Sequence, residues 1–235
     1  MISEQLAKVK ASIPEGVTLV AVSKYHPVEA LKEAYDAGQR IFGESRENEL
    51  KMKEEALPKD IVWHFIGHLQ TNKVKYIAPF VSLIHSVDTE RLLDEIEKQA
   101  VRFGQERQQR LGEETIDVLL QLHVAQEESK SGFAPDELIE LLASTDIAKR
   151  WPHVKLRGVM GMASFVDDQE QWRREFRQIT ECHRRLLEGP LKQQGITAEQ
   201  FSILSFGMSE DYPVAIEEGA TMVRVGSKIF GARVY

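Results

Sequence analysis

Hydrophobic positions along the chain fall into two alternating patterns. Short runs dominated by Val, Ile and Leu recur eight times, over residues 18–22, 40–42, 62–66, 83–86, 116–124, 156–160, 202–206 and 222–225. Nearly continuous apolar runs of this length are expected of parallel strands covered on both faces. Between them lie longer stretches with helical spacing. Residues 28–37 run into Gly38, and residues 89–103 follow a candidate cap at Asp88. Residues 136–143 follow Pro135, and residues 210–218 end at Gly219. In residues 168–187, Trp172, Phe176, Ile179, His183 and Leu186 share one helical face. A further helix, residues 3–12, precedes the first strand.

Strand and helix repeat without a Pro- or Gly-rich linker, which predicts one domain over residues 1–235 with parallel strands and right-handed crossovers. Eight repeats favour a closed (β/α)8 TIM barrel. The competing open doubly wound sheet would carry a glycine fingerprint after its first strand, where this chain has Ser23-Lys24-Tyr25-His26-Pro27. Closure has a chemical consequence, because it sets the eighth strand beside the first. Val20, Val22 and Lys24 share one face of the first, and Met222, Arg224 and Gly226 share one face of the eighth. If both faces turn inward, Lys24 and Arg224 enter the mouth at the carboxyl ends of the strands, where barrels place their active sites.

A length of 235 residues suits one such barrel. The net charge of −7 disfavours nucleic acid and anionic membranes as partners. The polar amino terminus shows no export signal, and Cys182 is the only cysteine, so no internal disulfide can form. A cytoplasmic protein is expected.

Taken singly, Lys24 reads as a solvated loop lysine and Ser209 as an ordinary helix cap. Together with Arg224 they read differently. An apolar surround and a neighbouring cation both favour the neutral amine needed to attack a carbonyl. Gly207 and Ser209 after the seventh strand, with Gly226 and Ser227 after the eighth, occupy the two loops from which barrels commonly build a phosphate site. Glu210 and Asp211 run against that reading if they face the anion. His64 and His68 lack the spacing of a metal pair on one helix, and His85 and His123 end or interrupt strands, which suits either a place in the mouth lining or a core or rim position. Cys182 reads as a buried, inert thiol. Arg107-Gln108-Gln109-Arg110 reads as solvated helix surface.

The motifs Ala21-Val22-Ser23-Lys24, Phe42-Gly43-Glu44, residues 63–73, His85-Ser86-Val87-Asp88, residues 128–132, Gly158-Val159-Met160, Gly207-Met208-Ser209-Glu210-Asp211 and residues 223–231 occur in one order. In that order they resemble the pyridoxal 5′-phosphate (PLP) homeostasis family, also called the proline synthase co-transcribed family and related to the alanine racemase barrel. The resemblance implies a type III PLP fold with Lys24 holding the cofactor as an internal aldimine. It also implies a phosphate site at Ser209, Gly226 and Ser227, lined nearby by Gly207 and Met208, and Arg224 at the pyridine nitrogen. Where the family often has asparagine near the cofactor, this chain has Ser45, which reaches less far, and on the fifth strand it has His123. The expected role is non-catalytic buffering or delivery of PLP, with PLP and apo PLP-dependent recipient enzymes as partners and a monomer favoured. Two features support this: an arginine cannot protonate the pyridine nitrogen, and the chain stops soon after Gly231, where racemases continue into a β domain. The alternatives are a racemase-like PLP enzyme and a class I aldolase that uses Lys24 on a sugar phosphate.

Overall fold

The structure is a computed structural model that describes residues 1–125 and 131–232. Eight parallel strands close into a barrel in sequence order. They are β1 (Thr18–Val22), β2 (Ile41–Glu44), β3 (Val62–Phe65), β4 (Leu83–Val87), β5 (Ile116–Gln121), β6 (Val154–Met160), β7 (Ile203–Ser205) and β8 (Met222–Val225). The helices are α1 (Ile2–Ala11), α2 (Val28–Asp36), α3 (Glu47–Ala56), α4 (Val74–Ile77), α5 (Glu90–Leu111), α6 (Pro135–Ser144), α7 (Ile147–Arg150), α8 (Gln169–Glu188), α9 (Pro190–Gln193), α10 (Tyr212–Glu217) and α11 (Ser227–Phe230). No described helix is long and apolar enough to cross a membrane.

Closure follows from β1, which pairs with β2 on one side and β8 on the other, with Val20 opposite Arg224. The pleat then sorts the side chains. Val20, Leu83, Leu119, Met160 and Met222 form a small apolar cluster inside the barrel. Leu19, Ala21, Phe42 and Trp63 belong to the larger layer between sheet and helices. Both sheet faces are therefore dry, which accounts for the continuous apolar runs.

Several elements differ from the sequence expectations. The long helix α5 runs to Leu111, and its cap is Thr89, whose side chain accepts the Leu92 amide, not Asp88. Gly112, at φ 78°, ends it. Arg107 is not solvated. It is fully buried and donates to the carbonyls of Ala78, Val81 and Thr115. The fifth strand stops at Gln121, short of His123. Helix α10 begins at Tyr212 with Asp211 at its cap, so Ser209 does not open it. Residues 128–130 of the 128–132 motif, and 233–235, lie outside the described residues.

Candidate functional site

At the carboxyl ends of the strands the barrel opens into a cavity of about 790 Å³. Its lining includes Lys24, Met208, Ser209, Arg224, Gly226 and Ser227. The pleat explains why. Val20 lies in the inner cluster, so Val22 and Lys24, two and four residues on, face the same side and reach the cavity. Arg224 pairs with Val20 in register and so enters lower in the barrel than Lys24, beneath one shared opening.

The two turns after β7 and β8 are built to approach each other. The Gly226 amide donates to Ser209 Oγ at 3.2 Å, which ties the turns together and leaves the serine's own proton free to donate. A Cβ at Gly226 would sit 3.0 Å from the Val22 carbonyl oxygen, so a side chain there would press this backbone away from β1 by a few tenths of an ångström. Gly207 is needed for a different reason. Its φ is 92°, and a Cβ there would lie 2.6 Å from that of Ala215. Gly207 is not part of the lining; it shapes the turn, and its carbonyl accepts the Arg224 amide.

The acidic pair in this segment divides. Asp211 is buried and accepts the Met208 amide, so it braces the turn; burial raises its carboxyl above the usual range, against the pull of Arg224. Glu210 is exposed at the rim and lines the opening.

Arg224 is 4% exposed, and its guanidinium donates to the Ser205 carbonyl and hydroxyl and to the Gly161 carbonyl. Those contacts use at most three of its five N–H groups, so at least two remain for an acceptor in the cavity. Burial lowers its pKa to about 10, which leaves it a cation at neutral pH.

Sequence reasoning missed what stands beneath it. Ser205 Oγ lies 3.0 Å from His85 Nδ1, and His85 Nε2 lies 2.9 Å from His64 Nδ1. Arg224 donates to the hydroxyl, which with the two imidazoles forms one hydrogen-bonded chain behind the guanidinium. Both imidazoles are neutral: burial pushes His64 down to about 3 and His85 well below its ordinary value. The available signal was positional, since each histidine lies within a strand on the inward side.

The remaining candidates lie apart. Ser45 and His123 are half-buried outside the lining, and His123 Nε2 bonds the Ala125 carbonyl. His68 pairs with Asp88 at 3.2 Å, far in role from buried His64. Cys182 is buried, and its thiol is pushed up to about 12.

The donor set fits PLP: an amine for an aldehyde, a close-approach glycine and a serine hydroxyl for a phosphate, and a buried guanidinium with spare donors for a ring nitrogen. The family model for the alanine racemase N-terminal domain matches residues 1–234. Proteins named pyridoxal phosphate homeostasis protein from Aquifex aeolicus and Schizosaccharomyces pombe are 41% and 39% identical to this chain. The matches cover 92% of this chain in both cases, and 87% and 84% of the relatives. PipY of Synechococcus elongatus PCC7942, solved both without PLP and with PLP bound, is 33% identical and superposes with TM-scores of 0.84 and 0.82. Each comparison covers 98% of this chain and 100% of PipY. Alanine racemase from E. faecalis shares the fold, with a TM-score of 0.69 at 18% identity over 98% of this chain and 57% of the racemase. The chain belongs to the alanine racemase N-terminal domain family and, within it, to the pyridoxal phosphate homeostasis proteins.

Proposed function

We propose that this barrel, as one unit over residues 1–235, binds PLP in the mouth cavity and takes part in its homeostasis by buffering or delivering it. The observation that carries the reading is the convergence of Lys24, Arg224 and the Ser209–Gly226 cross-link on one opening. Lys24 is the covalent attachment point. Ser209 and the Gly226-Ser227 turn hold the phosphate, and Arg224 donates to the ring nitrogen. When bound, PLP supplies an electrophilic aldehyde on an electron-withdrawing ring.

The non-catalytic part of the reading rests on Arg224. A group that only donates N–H and stays charged to about pH 10 does not give a proton to the ring nitrogen at neutral pH, so the ring remains a weaker electron sink. The neutral chain of Ser205, His85 and His64 behind it supplies no stronger acid. That arrangement weakens carbanion chemistry and leaves binding and exchange intact.

Incubating the loaded protein with L-alanine in deuterated water tests the carrier reading. The expected result is neither deuterium at Cα nor D-alanine at enzymatic rates. Either product at about 1 per second or faster would favour the racemase-like alternative. A protein that takes up no PLP and shows no visible aldimine absorbance would favour the aldolase.

A further inference from the structure

Behind the Lys24 turn, on the side of β1 away from the cavity, lies a buried ion cluster that cofactor binding does not directly use. The pleat that sends Val22 and Lys24 into the cavity sends Ser23 outward, toward α3. There Lys53, fully buried on α3, donates to the Ser23 carbonyl at 2.8 Å, to Glu44 Oε1 at 2.8 Å and to Glu49 Oε1 at 2.6 Å. All three ammonium protons are thereby used. The Ser23 hydroxyl donates to the same Glu44 oxygen at 2.5 Å. Glu49 Oε1 also accepts the Tyr25 amide at 2.7 Å. Tyr25 stands at φ 66°, the only described non-glycine residue with positive φ.

The residues on either side of Lys24 are thus gripped by one buried ammonium and its two carboxylates, and the turn is held in a conformation that side chains disfavour. Sealing an ammonium and a carboxyl group away from water is a weak route to stability. Glu44 Oε2 is buried with no hydrogen-bond partner, and burial pushes this carboxyl up to about 7. Bracing α3 against the sheet would need only apolar contacts, such as those Leu50 already makes. What the ions add is directional bonding to the backbone of residues 23 and 25.

We propose that Lys53 is a positioning residue for Lys24: through Glu44 and Glu49 it fixes the turn that aims the Lys24 amine at the PLP aldehyde. The proposal rests on Lys24 being the attachment point. It separates aim from binding, because the phosphate turns and Arg224 belong to β7 and β8, on the opposite flank of β1 from Glu44 and α3.

The test uses Lys53→Met, which removes the ammonium, and Glu49→Ala, which releases the Tyr25 amide while keeping the Lys53–Glu44 pair. Two ligands are compared on the apo-proteins. PLP requires the Lys24 amine; pyridoxamine 5′-phosphate has the phosphate and ring but no aldehyde. We expect covalent attachment of PLP, followed by visible absorbance, to slow about tenfold or more, the scale set by small misplacements of reacting groups. The Kd of pyridoxamine 5′-phosphate should stay within about twofold of wild type. An unchanged attachment rate overturns the proposal, as does a parallel loss for both ligands, which would mark a merely structural cluster. If Lys53→Met does not fold, the Glu49→Ala result decides by the same criteria. Borohydride labelling of the wild type away from Lys24 would overturn both this proposal and the site beneath it, whereas the first two outcomes leave the site standing.

Discussion

Residue 227 is exposed beside the close-approach turn at Gly226, where a side-chain charge would meet a bound phosphate directly. Ser227→Glu should therefore weaken PLP at least about tenfold through repulsion, while pyridoxal, which lacks the phosphate, changes little. Equal losses for the two ligands in equilibrium titrations would place the phosphate elsewhere. The buried histidines give a second residue-level prediction. Each is neutral in the folded protein and becomes charged on unfolding below its ordinary value of 6.5. A depressed folded-state pKa means stability that is present above 6.5 and is lost as pH falls toward about 3. Glu44 and Asp117, raised to about 7 and about 6, lean the other way, so a comparison with a variant is needed to isolate the effect. Between pH 6.5 and 5, His64→Gln should lose less unfolding free energy than wild type, by about 1.4 kcal/mol per pH unit. Urea titrations at several pH values measure this, and parallel slopes would show that His64 is not held neutral. Lys24 and Arg224 were legible from alternation on two strands. The His64–His85–Ser205 chain was not, because a histidine within a strand carries no mark of which partner it meets across the barrel.

At the scale of elements, charge misled where apolar spacing was sparse. Helix α3 carries Glu, Lys and Asn at most positions, yet it buries Lys53 and Glu54 along with Leu50. Its sequence offers too few apolar residues to outline a buried face, and its role depends on partners contributed by β1 and β2. Arg107 on α5 repeats the lesson. Its guanidinium joins the carbonyls before β4 to the one before β5, at the amino-terminal end of the barrel. The planar fork holds three carbonyls through four hydrogen bonds, one more than the three protons of an ammonium allow. Arg107→Leu leaves those carbonyls without their donor and should cost about 3 kcal/mol, with PLP affinity unchanged because the cavity lies at the other end. Denaturant midpoints and a PLP titration on the same variant check both halves. A loss of affinity matching the loss of stability would contradict the separation of the two ends. Around Ser209 the helix expected over residues 210–218 begins only at Tyr212, because Asp211 takes the Met208 amide and delays the first turn. The serine is thereby freed to bond Gly226.

For the whole molecule, barrel closure does the joining that sequence distance hides. Lys24 and Arg224 are 200 positions apart in sequence, yet β1 and β8 pair directly and both residues line one cavity. The period and number of apolar runs were enough to predict that closure. The exact register, with Arg224 opposite Val20 rather than level with Lys24, depended on strand ends that apolar content leaves loose. The mouth cavity lies at one end of the barrel and the Arg107 brace at the other. Covalent attachment of PLP to Lys24 in that mouth is open to a direct test, borohydride reduction of the PLP-loaded protein followed by peptide mapping. One reduced pyridoxyl label is expected, on Lys24, with loss of that label in Lys24→Ala. A label on Lys73 or Lys228 with Lys24 unmodified, or full labelling of Lys24→Ala, would contradict it.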